Sequence, residues 1–369
     1  MTTPYRADHV GSLLRPQNLI DARLAFEAGT LTADALHELE DRAILEVLAL
    51  QRSTGIQILS DGEFRRTTWG DGMLDKLQGL GYDPANSTRN PHWKGGHKEL
   101  ANTTLPQHKV VVDKITIAEP FTAQEVRFLK ANAQGPYKIT IPSPTMFLGR
   151  FLPGVSDKVY PDAQAFLEDL VNIYLSEVDS LLAAGTPYIQ LDSLRYIRII
   201  TDTQKAGSRT PEIQQQLKRN IEVDNRILKR AKKPGVTRGM HICRGNHRSS
   251  WYGEGSYESV AEALFDQIDT DRFLLEYDDE RSGGFEPLRF VPKGKVVVLG
   301  LITSKSGKLE TLDQLRRRVD EAAKYVPLEN LAISPQCGFA STHLGNLLTV
   351  DEEKRKLELV AEAARAIWG

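Results

Sequence analysis

The stretch Gly239-Met240-His241-Ile242-Cys243 decides the fold, because it contains in five residues the unit from which the chain is built. It is a short apolar run that ends in polar, chemically useful side chains, as a buried strand does where it leaves a parallel sheet. Residues two apart in a strand point the same way, so His241 and Cys243 are predicted to face one point. The rest of the sequence repeats this unit.

Seven further apolar runs have the same design, and helical patterns separate them. Residues 162–184, for example, place apolar side chains at the spacing of an amphipathic helix. Eight strand–helix units predict an α/β fold of the (β/α)8 TIM-barrel type, in which active sites are built on the rim at the C-terminal strand ends. A doubly wound open sheet is the runner-up, although its polar strand ends would be confined to one switch point. The eight runs end near residues 12, 63, 143, 192, 243, 276, 303 and 337.

Residues 80–120 break this rhythm. They are rich in Gly, Asn, Pro and Thr and then alternate between apolar and polar side chains over 109–117. We predict an inserted loop and hairpin between the second and third units, either a cover over the barrel mouth or a peripheral or subunit-contact element. No linker divides the chain, so residues 1–369 are predicted to form a single barrel domain that carries this insertion.

Composition narrows the class of protein. Hydrophobic residues make up 40% and charged residues 26% of the chain, which are globular values. The formal net charge of -2 gives no reason to expect a nucleic-acid partner. No apolar run approaches the roughly 18 residues of a membrane span, and residues 1–6 lack the apolar core of a signal peptide. With only two cysteines, a disulfide scaffold is not expected, and a reducing cytoplasm is the predicted setting.

The two cysteines raise the most specific question. Cys243 and Cys337 are inert core thiols, a lone disulfide or metal ligands. The metal reading gains weight because His241 and Glu276 also stand at predicted strand ends, on the same rim as the cysteines. Together the four residues offer N, S, O and S donors, a set that suits Zn2+. Their spacing is not that of a zinc finger, so the predicted site is catalytic, and its chemistry would be the activation of an incoming thiol.

These residues carry a family resemblance. His241-Ile242-Cys243, Glu276 and Pro335-Gln336-Cys337-Gly338 resemble the motifs of the cobalamin-independent methionine synthase family, specifically its catalytic C-terminal barrel, and the resemblance covers almost the whole chain. It implies that the four residues bind zinc and that homocysteine is methylated to methionine, in methionine biosynthesis. The implied donor is 5-methyltetrahydrofolate or another methyl donor.

Three further matches concern the amino-acid end of homocysteine. Ser12, Glu63 and Asp192 resemble family positions on the first, second and fourth strands, so the resemblance implies that they bind this substrate. Glu63 and Asp192 would hold an ammonium group, and Ser12 with nearby backbone N–H groups would hold a carboxylate. The competing structural interpretations are a helix or turn cap for Ser12, a salt bridge to Arg65 or Arg66 for Glu63, and a pair with Arg195 for Asp192.

The donor side departs from the family pattern. Ser193-Leu194 stand where the family has a Glu-Pro that reads the pterin ring, and Arg150 stands where a Trp stacks on it. Thr303 occupies the place of a His thought to serve as an acid. We therefore predict Thr303 as a catalytic position beside Glu63 and Asp192, and the identity of the donor stays open.

A short-chain branch of the family also resembles the epoxyalkane–coenzyme M transferases, which gives a second hypothesis: alkyl or epoxide transfer to another small thiol. A sulfonate on that thiol needs basic partners, and Arg150, Arg244, Arg195 and His247 are the candidates, so Arg150 and Arg244 are included among the predicted substrate-binding residues. A third hypothesis is a zinc-free barrel like uroporphyrinogen decarboxylase, and a fourth is a non-catalytic metal-storage barrel. The oligomeric state is open, a homo-oligomer included.

Overall fold

The centre of the molecule is a parallel sheet of six strands in sequential order, β3-β4-β5-β6-β7-β8. The computed structural model describes residues 5–83, 93–102 and 109–369. Strands β3, β4, β6 and β8 are buried along their whole length, as expected of a parallel sheet covered on both faces. The α/β class is therefore confirmed. The strands are β1 Leu77–Tyr82, β2 Lys109–Ile117, β3 Lys138–Pro142, β4 Tyr188–Ser193, β5 Thr237–Ile242, β6 Arg272–Glu276, β7 Val296–Ile302 and β8 Leu331–Pro335.

Helices separate these strands, and capping side chains mark where several of them begin. The helix predicted over 162–184 is present: the Asp162 side chain accepts a hydrogen bond from the amide of Ala165, and Gly185 ends the helix in a left-handed conformation. The helices are α1 Gln17–Glu27, α2 Ala33–Thr54, α3 Asp71–Leu74, α4 Lys98–Asn102, α5 Ala123–Asn132, α6 Ala163–Ala184, α7 Arg195–Ala206, α8 Pro211–Arg230, α9 Glu258–Gln267, α10 Leu312–Ala322 and α11 Val350–Trp368. Short 3-10 helices lie at Pro144–Arg150, Ser156–Lys158, Glu280–Ser282, Glu286–Phe290 and Leu328–Asn330.

The first two predicted runs differ from the other six. Among the described residues they form single parallel bridges, one from Ala7 to Ile333 of β8 and one from Leu59 to Tyr137 just before β3. The amide of Gln57 donates to the carbonyl of Ala7 over 3.2 Å, so the two segments also contact each other. They therefore join both edges of the six-stranded sheet without becoming strands.

Two glycines explain why the pairing stops. Gly11 has a φ of 142° and Gly62 a φ of 69°, conformations that extended strands of other residues do not adopt. The backbone also has no room there, since a Cβ on Gly11 would lie 2.7 Å from Thr140 Cγ2. The chain turns at both points and presents the following residues at the C-terminal edge of the sheet.

Strands β1 and β2 form a separate antiparallel pair. The register shifts between Gln78 and Leu80, at Gly79, where a Cβ would lie 2.5 Å from the carbonyl oxygen of Lys114. This hairpin coincides with the alternating pattern that the sequence shows over 109–117 and begins three residues before the predicted insertion. Residues 84–92 and 103–108 of that insertion lie outside the described residues.

The main apolar core lies between the sheet and the helices. A second cluster of three buried residues, Leu274, Val298 and Ala332, forms a row across β6, β7 and β8 on the other face of the sheet. This inner face carries the functional residues at its C-terminal edge. In the part of the chain that the structure describes, every helix is too short or too polar to cross a membrane.

Candidate metal centre and substrate cavity

Strand register gathers the predicted site residues on the inner face of the sheet. Asp192 is the direct neighbour of His241 across β4 and β5, and His241 is the neighbour of Leu274 across β5 and β6. Neighbouring residues in a parallel sheet point to the same side. Cys243 and Glu276 follow two residues after His241 and Leu274, so they point to that side as well.

Four of these side chains converge. One ligand atom from each of His241, Cys243, Glu276 and Cys337 lies within 4.8 Å of all the others. The two sulfur atoms are 3.5 Å apart, and His241 Nε2 is 3.8 Å from Cys337 Sγ. His241 Nδ1 lies 3.3 Å from the carbonyl oxygen of Leu274. Because a carbonyl only accepts, Nδ1 donates to it, and Nε2 is the ring nitrogen that faces the sulfurs and could bind a metal.

The donor set fits zinc. Zn–S bonds of about 2.3 Å in a tetrahedron place two sulfurs roughly 3.8 Å apart, close to the observed 3.5 Å separation. A disulfide would need about 2.05 Å, and both cysteines are free. One oxygen of Glu276, Oε1, accepts a hydrogen bond from the backbone of Arg244, while Oε2 is buried without a hydrogen-bond partner among the described residues and lies 3.6 Å from Arg281 Nη2.

The pKa shifts within this cluster also favour the binding of a cation. The hydrogen bond between the sulfurs lowers the pKa of Cys337 and raises that of Cys243. Burial, and then the charge of Cys337, raises the pKa of Glu276 to about 7. Burial alone would lower the pKa of His241, but the hydrogen bond and charge of Cys337 raise it to about 9. His241, Cys243 and Glu276 hold protons more tightly because the Cys337 thiolate concentrates negative charge here, and a divalent cation would relieve that concentration.

Two more buried carboxylates lie beside this cluster. Glu63 Oε1 accepts a hydrogen bond of 2.8 Å from Thr140, and Glu63 Oε2 is buried with no hydrogen-bond partner in the described part of the chain. Asp192 Oδ1 accepts a hydrogen bond of 2.8 Å from Gln190 Nε2. Burial raises the pKa of Glu63 and raises that of Asp192 to about 7. A bound cation would stabilise both charges.

The competing salt bridges leave these carboxylates available. Arg66 makes two hydrogen bonds to Glu125, of 2.8 and 2.7 Å, and is 3.7 Å from Glu63. Arg195 donates to two backbone carbonyls of the turn after β3 rather than to Asp192. The expected pair between Arg66 and Glu63 is thus a longer, secondary contact.

Ser12 completes this side of the site. It does not cap a helix, since α1 begins only at Gln17. Its carbonyl accepts a hydrogen bond from Phe339, and its hydroxyl lies against Gly338, where a Cβ would be 1.9 Å from Ser12 Oγ. A glycine after Cys337 is therefore needed for the first segment to approach the metal centre.

Three of the four ligand residues, His241, Cys243 and Cys337, line one cavity of about 200 Å³ together with Ser12, Glu63 and Asp192, whereas Glu276 does not line it. Among the described residues that line it there is no Lys or Arg. The described lining contains the two sulfur atoms, the two carboxylates, aromatic rings and hydroxyl groups. The lining residues are Val10, Ser12, Glu63, Thr68, Trp69, Trp93, Asp192, Ser193, Leu194, His241, Cys243, Asn246, His247, Cys337, Gly338, Ser341 and Thr342.

Comparison with known proteins agrees with this geometry. The model of a protein family described as the catalytic domain of cobalamin-independent synthases matches residues 6–365. The chain belongs to the cobalamin-independent methionine synthase family. Membership in this family supports a methyltransferase.

Individual relatives cover nearly the whole chain. The uncharacterized protein YxjG of Bacillus subtilis (strain 168) is 37% identical over 374 residues, which span 99% of this chain and 95% of the relative. The methionine synthase of Pyrococcus abyssi (strain GE5 / Orsay) is 26% identical over 334 residues, 89% of this chain and 84% of the relative. A crystal structure from Listeria monocytogenes, whose name assigns it provisionally as a vitamin-B12 independent methionine synthase, is 32% identical, covers 100% of this chain and 99% of its own, and has a TM-score of 0.74.

Three predicted catalytic or substrate-binding residues do not line the cavity: Arg150 and Thr303, which were aligned with methionine synthase positions, and Arg244, which was a candidate partner for a sulfonate. Arg150 donates to a backbone carbonyl of β2. The guanidinium of Arg244 lies 4.4 Å from the ring centre of Tyr257, and the amide of Thr303 donates to Glu310. Long arginine side chains reach the nearest carbonyl or ring, and sequence position alone does not determine that direction. The structure does not bring these three together with the other site residues.

Sequence reasoning assigned no role to several lining residues, above all Trp69 and Trp93. The ring centre of Trp93 is 5.4 Å from that of His247, a residue that the sequence offered only as a sulfonate partner. The sequence did contain a feature that could have predicted the place of both tryptophans in the site. Both lie in polar loops, and Trp69 follows Glu63 by six residues. Aromatic side chains in such loops are candidates for ligand contact.

Proposed function

We propose that this protein is a zinc-dependent S-methyltransferase that converts homocysteine to methionine. The observation that carries the proposal is the convergence of four ligand atoms within 4.8 Å, three of them from residues that line the same cavity as two buried carboxylates. The first arrangement suits a thiol and the second suits an ammonium group, and homocysteine has both. The methionine synthase name of the Pyrococcus abyssi relative supports the same reaction.

The charge of the lining favours an amino-acid thiol. Glu63 and Asp192 bind the substrate ammonium, and Ser12 Oγ donates to the carboxylate. A sulfonate such as that of coenzyme M needs a basic partner, but the described lining has no Lys or Arg, and burial lowers the pKa of its His247 to about 4, which leaves that ring uncharged at neutral pH. Alkyl or epoxide transfer to coenzyme M is therefore the disfavoured alternative. A zinc-free decarboxylase or a metal store would not require the carboxylates and sulfurs to share one cavity.

The protein holds its proposed metal ligands by specific contacts. His241 donates from Nδ1 to the carbonyl of Leu274, which fixes the ring, and the amide of Gly245 donates to Cys243 Sγ over 3.3 Å. Zinc bound by His241, Cys243, Glu276 and Cys337 would supply the Lewis acidity that lowers the pKa of an incoming thiol. The role of the chain is to hold homocysteine so that its sulfur faces this centre.

The methyl donor would bind on the other side of the cavity. Trp69, Trp93, His247 and Leu194 form an aromatic and apolar wall there, suited to a flat ring. The donor is proposed to be 5-methyltetrahydrofolate or another methyl donor. The wall contains Ser193-Leu194 where the family has Glu-Pro, so it would contact a donor differently.

We further propose that residues 1–369 form one (β/α)8 barrel with the hairpin as its insertion. The parallel bridges of Ala7 and Leu59 support this arrangement, because they join the first two segments to β8 and to the start of β3. The amide of Asp8 also donates to Ile333 and that of Lys138 to Leu59. Since the reaction needs both sulfurs reduced, we place the protein in the cytoplasm.

Thiol binding by the zinc-loaded protein tests the proposal. Zinc is measured per chain, and L-homocysteine and coenzyme M are then titrated while proton release is recorded. We expect about one zinc per chain and proton release with homocysteine. Methionine formation from 5-methyltetrahydrofolate tests the donor separately. A protein that binds no zinc, or that releases protons with coenzyme M but not with homocysteine, would overturn the proposal.

A further inference from the structure

A hydrogen-bonded series of buried polar side chains connects Asp192 to the interior of the sheet. Gln190, two residues earlier on β4, donates to Asp192 Oδ1, and its own oxygen accepts a hydrogen bond of 2.8 Å from Lys138 Nζ. Lys138 Nζ is in turn 2.6 Å from Asp8 Oδ1. The side chains of Lys138 and Asp8 are both 0% exposed. The cavity therefore rests on an enclosed network rather than on an apolar layer.

The far end of this series is fixed as well. Asp8 Oδ2 lies 3.4 Å from Arg272 Nη1 and accepts a hydrogen bond of 3.3 Å from the Tyr188 hydroxyl. Two cations and a hydroxyl thus satisfy the buried carboxylate. A buried ion pair with both partners satisfied holds one geometry, because breaking any contact leaves an uncompensated charge.

The network determines which way the Gln190 amide points. An ammonium group only donates, so the Gln190 oxygen must face Lys138. The amide nitrogen then faces the other way, where it donates to Asp192 Oδ1 over 2.8 Å and to the carbonyl of Val10 over 2.6 Å. Val10 lies two residues before Ser12. One amide therefore ties the segment that carries Ser12 to the carboxylate of Asp192.

We propose that Gln190, oriented by Lys138, is a positioning residue that sets the distance between the ammonium-binding Asp192 and the carboxylate-binding Ser12. This inference rests on the proposed function, since it assumes an amino-acid thiol in the cavity. It deepens that function by naming the residue that holds the two charge-binding groups of the proposed site at a fixed spacing. Gln190 itself does not line the cavity and acts only through its two partners.

The test compares two thiols that differ only in the amino group, L-homocysteine and 4-mercaptobutanoate. Binding to the zinc-loaded protein is measured by calorimetry. In the wild type, losing the charge-assisted ammonium contacts should weaken binding at least about tenfold. In Gln190→Met, we expect the two thiols to bind within about threefold of each other, with 4-mercaptobutanoate itself affected little. A purely structural role would weaken both thiols equally.

A second variant keeps the test valid if Gln190→Met does not fold. Gln190→Glu preserves the oxygen that accepts from Lys138 but removes the amide N–H groups that donate to Asp192 and to the carbonyl of Val10. Two carboxylates at this distance share a proton or separate, so the discrimination should again be lost. The matched control is Gln51→Met, because Gln51 is also fully buried, donates to two backbone carbonyls and does not line the cavity. This control should keep the wild-type preference.

The two possible failures are distinguishable. If folded Gln190 variants retain the tenfold preference for homocysteine, the positioning role is wrong and the proposed function stands. If the wild type binds both thiols equally, the ammonium site of the proposed function is wrong, and the inference falls with it.

Discussion

The two sides of the cavity are built in different ways. On the thiol side, His241 and Glu276 lie at strand ends whose relative positions sheet register fixes, and Cys337 lies two residues beyond the end of β8. On the donor side, Trp69 and Trp93 come from loops. The amide of Trp69 donates to the carbonyl of Ser341, and the ring of Trp93 packs against that of His247. Strand ends hold atoms to a fraction of an ångström, whereas loops can be exchanged without disturbing the sheet. In the proposed function, thiol activation thus belongs to the rigid half of the site, and donor selection belongs to the adjustable half.

The largest effect is expected from Cys337→Ser, which attacks the rigid half directly. A hydroxyl is a much poorer zinc ligand than a thiolate, so zinc should be lost. Activity should fall by more than the roughly 100-fold typical of residues outside the ligand sphere. The midpoint of thermal unfolding should change little, because a large core does not depend on the metal. Zinc content, turnover and a melting curve measure the three effects.

Ser334→Ala is the matched control, since Ser334 is a buried residue of β8, the strand that precedes Cys337, and does not line the cavity. It should keep its zinc. Full activity in zinc-free Cys337→Ser would contradict the thiol-activation mechanism. The distinction between the rigid and the adjustable half of the site would then no longer hold.

Glu63→Gln should have the next largest effect, and it separates ammonium binding from metal binding within the rigid half. Losing a charged hydrogen-bond partner should raise the KM for homocysteine about 10- to 100-fold, while the zinc content stays the same. Asp61→Asn is the control, because Asp61 is buried beside Glu63 but does not line the cavity. A loss of zinc in Glu63→Gln would assign this carboxylate to the metal instead.

The same contrast between strand ends and loops explains which parts of the structure could be predicted from the sequence. Six apolar runs with polar ends became strands β3 to β8, and four donor residues at or just past their ends converged as predicted, because strand periodicity and register are local properties. The first two runs failed as strands because Gly11 and Gly62 turn the chain.

Tertiary contacts determined the rest. Lys138 meets Asp8 across 130 residues and Gln190 across 52, and no local pattern encodes those meetings. Arg150 was placed by family position and Arg244 as a candidate sulfonate partner, but their directions depend on which carbonyls and rings they reach. Trp93 enters the cavity from the predicted insertion, where the sequence has no periodicity to place it.

Trp93→Ala should have a smaller effect, confined to the adjustable half. Losing one aromatic surface should raise the KM for the methyl donor about tenfold. The KM for homocysteine should stay within about twofold, because Ser12, Glu63 and Asp192, which are proposed to bind that substrate, belong to segments other than the Trp93 loop. Trp368→Ala serves as the control, since Trp368 lies at the end of α11 and outside the cavity. Equal changes in both KM values would show that the two halves are not independent.

The smallest effect on activity is expected from Glu353→Gln, behind the rigid half. Glu353 is fully buried on α11, and its Oε1 accepts a hydrogen bond of 3.0 Å from the amide of Leu14, two residues after Ser12. Burial raises the pKa of Glu353 from 4.5 to about 8. The folded protein therefore keeps this proton up to about pH 8, whereas the unfolded chain loses it near 4.5. Stability from this group is present below pH 4.5 and is lost as pH rises through 8.

Glutamine stays neutral, so the variant should lose less stability between pH 5 and pH 9 than the wild type. The difference in the free energy of unfolding should be on the order of 2–4 kcal/mol, measured by urea unfolding at both pH values. Glu362→Gln, an exposed position on the same helix, should behave like the wild type. Because glutamine still accepts from Leu14, the KM for homocysteine at pH 7 should not change. A raised KM would mean that the Ser12 segment depends on the Glu353 carboxyl group behind it as well as on the sheet, and the rigid half would then extend to α11.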